Sequence, residues 1–290
     1  MAETDNLLTS ATPSASVWWR NAVVRNYQRW PWYLVCGAIL LFLIIPTVLV
    51  IPMSFSASSY LRFPPEGLSL KWYLAYFSDS DWMGATAFSL KLAVLTMVAA
   101  VIIGTAASIA LIHGQVPGKG LFGALILGPM IVPHIIVAIA VYLQFAPWRL
   151  NGTMLGFVLI HTVLSVPYVV LIVSAALRRH DFSLEMASLS LGATRWHTFW
   201  QVTMPLVRPA VAAGAVFAFI SSFDESVVSL FISGEVNKTI TRKFFEDLDF
   251  NVSPIIAAVS TIFVVVSVGL MSFSEYLKGG DKPAGQNSEP

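Results

Sequence analysis

The chain has 290 residues, of which 56% are hydrophobic and 11% charged, and its mean hydropathy is +0.73. A soluble domain carries about 25% Asp, Glu, Lys and Arg, roughly twice what is present, so a water-covered globule is excluded. The net charge of +1 provides no basic excess to neutralise phosphates, which excludes a nucleic-acid binder, and one cysteine, Cys36, supports no disulfide framework.

The composition is that of an all-α integral membrane protein. Met1–Ser16 is polar, rich in Ser and Thr, and lacks the pattern of a cleaved signal. An interfacial segment, Trp18–Trp32, follows with Arg20, Arg25 and Arg29, so residues 1–32 read as a cytoplasmic tail and interfacial stretch. A bilayer core requires about 20 mostly apolar residues per helix. Six such runs occur: Tyr33–Phe55, Ala87–His113, Leu121–Phe145, Met154–Leu177, Pro209–Ile232 and Pro254–Tyr276. The second is long enough to tilt or to continue beyond the membrane. The third contains Pro129 and Pro133 and the fifth an acidic pair, flaws that point to packing against protein or a cavity. Residues 278–290 form a second tail, and no internal repeat is evident.

Lys and Arg set the orientation. With a cytoplasmic N-terminus, the inner side holds Arg20, Arg25, Arg29, Lys119, Arg178, Arg179, Arg195, Arg208, Lys278 and Lys282, ten against six outside. Both termini are therefore expected in the cytoplasm. The outer loops, Ser56–Thr86 and Ser233–Ser253, are polar and are read either as a receiving surface for a partner or as ordinary solvated loops.

Arg178–Pro209 is the longest inner loop and carries helix signals. Asp181 or Ser183 can cap a helix with Glu185 in its first turn, Leu184, Ala187 and Leu191 recur at helical spacing, and Gly192 closes it. A second short helix, Thr194–Val202, presents Trp196, Phe199 and Trp200, and Pro205 and Pro209 follow. Surface helices of this kind serve as docking elements.

This stretch resembles the conserved cytoplasmic loop of ABC importer permeases, which reads Glu-Ala-Ala, three residues, Gly, nine residues, Ile, one residue, Leu-Pro. Ala187 and Ser188 take the Ala places, Gly192 the Gly, Val202 the Ile and Met204-Pro205 the Leu-Pro. Met186 stands where the motif has glutamate, and the acid is Glu185, one residue earlier. The resemblance spans about Tyr33 to Leu277. Ser222-Phe223-Asp224-Glu225-Ser226 through Phe231, with Lys238-Thr239-Ile240 and Val252-Ser253-Pro254, is most similar to permeases of the polyamine (spermidine/putrescine) group.

The resemblance implies the six-helix type I importer permease fold over residues 33–277, with the coupling loop between helices four and five. It further implies a bacterial inner-membrane subunit paired with a second, different permease subunit. Two ATP-binding subunits, which use ATP and Mg, and an extracytoplasmic solute-binding protein complete the assembly. Glu185, Met186, Ala187, Ser188, Gly192, Val202 and Pro205 would then form the ATPase coupling element. Glu185 is either the contacting acid or only a first-turn helix charge.

Asp224 and Glu225 lie roughly 22 Å along a helix from Pro209 at ~1.5 Å per residue, in the outer part of the bilayer. A carboxylate there costs on the order of 2.5–3.5 kcal/mol, which marks a pathway residue. Adjacent helical positions point about 100° apart, so one acid is expected to line a path while the other binds a neighbour. A cationic amine would favour that wall, with Phe223 as aromatic neighbour. The competing reading places the pair at a helix break, in purely structural contacts. His134, after Pro133, is read as a pathway residue or as a partner for a carbonyl freed by the proline. Its position also leaves an amino acid derivative or opine-like amine open as cargo. His113, His134, His161, His180 and His197 show no metal-ligand spacing, Gly118-Lys119-Gly120 is a turn, and no phosphate loop or catalytic constellation occurs. A secondary transporter using Asp224, Glu225 and His134 as a proton relay is the rival, and it would leave the Arg178–Pro209 loop without a purpose.

Overall fold

The computed structural model describes residues 30–114, 117–179, 181–234, 237–250 and 253–278, with the side chains of 249–250 and 270–278 outside the description. Both expected tails thus lie outside the described residues but for their inner ends. The described residues are helical apart from loops and one isolated antiparallel bridge, Ser56–Leu68. Four helices are long and apolar enough to cross a membrane, or five if one sharply bent pair counts as a single span. The chain divides into two units, residues 1–70 with 257–290, and residues 71–256.

In the first unit, α1 (Trp30–Ser54) carries no charged side chain and has Pro46 and Pro52 inside it. Its most apolar window contains no buried residue. A helix apolar on every side with no amphipathic stripe is one whose solvent is lipid. The chain then turns through the Ser56–Leu68 bridge, where Ser69 N donates to Phe55 O at 2.7 Å. Helix α12 (Ile255–Lys278) contributes residues 257 onward, and Ile255–Gly269 is its described apolar length.

The second unit begins with α2 (Lys71–Ser78) and α3 (Ser80–Ile112). Helix α3 starts at Ser80 rather than at Ala87, because Asp79 caps it, its Oδ1 accepting from Asp81 N at 2.8 Å and Trp82 N at 3.2 Å. The expected third span is two helices, α4 (Lys119–Ile131) and α5 (His134–Phe145), bent by 102°. Val132 is extended at ψ 130° ahead of Pro133, as the proline ring requires of its predecessor. Helix α6 (Met154–Arg179) runs two residues beyond the expected Leu177 and is the most buried of the long helices.

Two short elements, α7 (Ser183–Ser190) and α8 (Arg195–Thr198), precede a π-helical turn at Phe199–Thr203 that runs directly into α9 (Met204–Asp224). The expected free-standing helix Thr194–Val202 is therefore the first part of one continuous 30-residue helix, Arg195–Asp224. Pro205 does not stop it, because Met204 N already bonds to Phe199 O in the wider turn just before the proline. The expected fifth span, Pro209–Ile232, does not run through: the helix ends at Asp224, Glu225 is extended, and α10 (Val227–Ile232) starts afresh. Beyond it, within the polar loop Ser233–Ser253, the chain forms α11 (Ile240–Phe250).

Helices α3, α6 and α9 form the core. One apolar cluster joins Ala100, Val169, Val170, Val173, Val207 and Val211, and a second joins Leu92, Ala138, Phe157, Leu164, Val228 and Ile232. Contact between α3 and α6 requires Gly104, where a Cβ would lie 2.7 Å from Val169 Cβ. In lipid, small residues at such crossings let helix backbones approach.

Candidate functional site

The break between α9 and α10 sits against the bend between α4 and α5. A cavity of about 390 Å³ opens there, lined by His134 from α5, Tyr168 from α6, Phe217, Ile220, Ser221 and Asp224 from α9, Glu225 and Ser226 at the break, and Val227. The acidic pair divides its work. Glu225 is buried: its Oε1 accepts from Val228 N at 2.9 Å, capping α10, and its Oε2 lies 3.1 Å from His134 Nδ1. Its carbonyl accepts from Thr241 Oγ1 at 3.2 Å. Asp224 is exposed on the cavity wall. The pair sits at a helix break and also lines a cavity. Phe223 is outside the lining, with its ring stacked on Phe219 at 6.0 Å, and the cavity's aromatic groups are Tyr168 and Phe217.

Sequence reasoning weighed His161 only for metal-ligand spacing. It is fully buried on α6, with Nδ1 2.9 Å from Ser222 Oγ on α9 and Nε2 3.3 Å from Ser229 Oγ on α10. One imidazole thus holds both sides of the break beside the acidic pair. An ionisable residue in the middle of an apolar span was the available signal, because such a group requires polar partners.

A charged clamp joins α11 to the start of α3. Lys243 Nζ on α11 lies 3.0 Å from Asp81 Oδ2 at the start of α3 and 2.9 Å from Asp247, while Arg242 Nε lies 2.8 Å from Glu246. Lys238 Nζ is 3.1 Å from Glu246, and the Trp82 ring meets Phe244 edge-on at 5.2 Å. Partial burial opposes ionisation of Glu246, but Arg242 and Lys238 outweigh it and hold its carboxyl below the usual 4.5. Burial likewise disfavours the Lys243 cation, yet Asp247 and Asp81 hold its pKa above the usual 10.5.

The Arg178–Pro209 segment joins the short helix α7 to the start of the continuous Arg195–Asp224 helix through a turn at Gly192. Asp181 Oδ1 accepts from Ser183 N at 2.9 Å, and Thr194 Oγ1 caps α8 by accepting from His197 N at 3.2 Å. Gly192 turns the chain at φ +88°, a left-handed conformation that costs a side-chain-bearing residue about 1–2 kcal/mol. Ser188 Oγ and Thr198 Oγ1, 3.0 Å apart, tie α7 to α8. Met186 and Ala187 are exposed, as are Gly192 and Pro205, while Val202 and Ser188 are half-buried. Leu191 is 90% and Trp196 70% exposed. Glu185 turns inward, 8% exposed.

Residues 100–278 match the family described as the binding-protein-dependent transport system inner membrane component. The chain belongs to this family. Among its relatives, the Escherichia coli K12 putrescine transport system permease protein PotI is 32% identical over 253 residues, 84% of this chain and 89% of PotI. The spermidine/putrescine transport system permease protein PotC of the same strain is 31% identical over 255 residues, 87% of this chain and 95% of PotC. A chain of a bacterial ABC transporter involved in import of the acidic polysaccharide alginate superposes with a TM-score of 0.64 at 16% identity, covering 95% of this permease and all of that chain. That likeness establishes the permease fold. This permease is thus an inner-membrane transport component and not an enzyme, of the polyamine-permease group by sequence.

Proposed function

We propose that this permease is one of two different transmembrane subunits of an ATP-driven importer, and that it passes a small organic cation of the polyamine class from an extracytoplasmic binding protein to the cytoplasm. The observation that carries the reading is the cavity at the α9–α10 break, where the exposed Asp224 carboxylate faces Tyr168 and Phe217 in a space of about 390 Å³. A carboxylate between aromatic rings stabilises an ammonium that has left water. The identities to PotI and PotC support the same class.

In this reading, residues 33–277 cross the membrane six times between cytoplasmic tails 1–32 and 278–290. The α4–α5 pair counts as one broken span, and Arg195–Ile232 as another. Glu185, Met186, Ala187, Ser188, Gly192, Val202 and Pro205 belong to the coupling element that meets one of two ATPase subunits, where ATP and Mg act. Asp224, Glu225, His134 and Phe223 belong to the pathway region, with Asp224 nearest the solute and Phe223 behind it. His134 on the cavity wall favours one second reading, an amino acid derivative or opine-like amine, whose carboxylate an imidazole can meet.

Uptake of labelled putrescine, spermidine and a neutral amine by the reconstituted importer tests the proposal. Asp224→Asn should reduce polyamine uptake about tenfold, the effect of roughly 1.4 kcal/mol of lost charge stabilisation, and leave a neutral amine untouched. Equal uptake by wild type and variant removes the cation pathway.

A further inference from the structure

Glu185 stands at the coupling loop, but its carboxylate is folded away from the loop's exposed face. Oε1 accepts a hydrogen bond from Thr203 Oγ1 at 2.7 Å, and Oε2 lies 3.6 Å from His113 Nδ1. His113 is the residue that ends α3, and its ring meets Phe182 edge-on at 5.3 Å. Thr203 closes the π-helical turn that leads into α9, and it is itself buried. One side chain in the first turn of α7 therefore reaches the inner ends of two core helices, α3 and α9, that are far apart in sequence. The next residue, Met186, points about 100° away around the helix and is half exposed.

We infer that Glu185 is a positioning residue, an internal strut that makes α7, the inner end of α3 and the start of α9 move as one body, and that the docking face beside it is apolar. The inference rests on the proposed importer function. A buried carboxylate cannot trade partners cheaply: parting it from Thr203 and His113 breaks contacts made out of bulk water. Displacement of α7 by a partner is therefore transmitted to both helices rather than absorbed by the loop. Helix α3 carries that displacement to Asp81 and the charged clamp, and α9 carries it to Asp224 at the cavity. Met186, Leu191 and Trp196 are among the large exposed apolar side chains of this loop, so the groove that receives it is apolar where Met186 enters and needs no cation for a glutamate.

The test uses the whole importer, its second permease, ATPase and binding-protein subunits co-expressed and reconstituted in vesicles. Glu185→Gln keeps the shape and removes the charge. Solute taken up per ATP hydrolysed should fall about tenfold, the scale of losing one charge-assisted hydrogen bond, with the ATPase subunits co-purifying in unchanged ratio. Thr203→Val and His113→Gln should lower the same ratio, and Glu185→Gln with Thr203→Val should be no worse than Glu185→Gln alone. Loss of the ATPase subunits from Glu185→Gln, with normal coupling in Thr203→Val and His113→Gln, would make Glu185 a direct partner contact and overturn the strut. A wild-type assembly that transports without ATP would refute the importer reading instead. The strut is then still decided on the purified chain, where Glu185→Gln should speed amide exchange across Ser183–Ser190 about tenfold for the same lost bond, and unchanged exchange overturns it.

Discussion

Replacing His161 with Ala removes a side chain that bonds to both sides of the α9–α10 break. Two hydrogen bonds are lost, at 2.9 Å to Ser222 and 3.3 Å to Ser229. Polar contacts between membrane helices average about 0.6 kcal/mol each and reach ~1.7, so the pair is worth about 1.2 kcal/mol, with the shorter bond the larger share. The imidazole is fully buried beside Phe157, with ring centroids 5.9 Å apart. An unfilled void of roughly 60 Å³ adds about 1.5 kcal/mol at ~24 cal/mol per Å³. The total is about 3 kcal/mol, read as the shift in reversible unfolding of the purified chain in mixed micelles. Ser222→Ala and Ser229→Ala should each cost well under half of that, Ser222→Ala the more. Uptake should fall as well, because loosening the break moves Glu225 away from His134 and opens the cavity wall. Stability of His161→Ala within ~0.5 kcal/mol of wild type would refute the reasoning.

Three further outcomes follow from the geometry. Gly104→Ala places a methyl group 2.7 Å from Val169 Cβ, so it should destabilise by about 1–3 kcal/mol, and Val169→Ala in the same chain should restore most of the loss in the same unfolding assay. Gly192→Val, at φ +88°, should leave the importer assembled but raise ATP hydrolysed per solute transported, because the α7–α8 turn can no longer close as it does. The charged clamp should depend on pH at its two extremes. The Glu246 carboxyl is held below 4.5 in the folded chain, so its contribution is present above that value and is lost as pH falls through the lowered pKa. Lys243 is held above 10.5, so its share is complete below that value and is lost as pH rises through the raised pKa. Spin labels at Gly84→Cys and Leu248→Cys in a Cys36→Ser chain should report a constant distance between those two limits and separation once pH falls through the lowered pKa of Glu246.

The membrane class, the start of α6, a capping Asp181 and a closing Gly192 were legible because each rests on local signals, whereas the end of α6 at Arg179 and the continuity of Arg195–Asp224 were not. The acidic pair was legible as a site because charge is scarce inside the spans. Which acid is buried was not, since that depends on Val228 N and His134 coming within reach of Glu225 from other elements. The 102° bend at Pro133 was foreshadowed only as a flawed span, because a proline signals a lost hydrogen bond but not the angle that packing then selects. His161 was weighed only for metal-ligand spacing for a related reason: its partners lie 61 and 68 residues away in the chain, where no spacing rule connects them. The inward turn of Glu185 toward Thr203 and His113 is likewise long-range.

The π-helical turn at Phe199–Thr203 also fixes the rotational phase of the helix that follows it. A wide turn holds one residue more than an α-helical turn, so it is the place along Arg195–Asp224 where the chain can change length by one without rotating what comes after. Anywhere within Met204–Asp224, loss of a single residue would swing the outer end by about 100° and shorten it by about 1.5 Å, carrying Asp224 off the cavity and Ser222 away from His161. The five residues of this turn are therefore the point where a one-residue change in the preceding loop would leave the bearing of Asp224 unchanged.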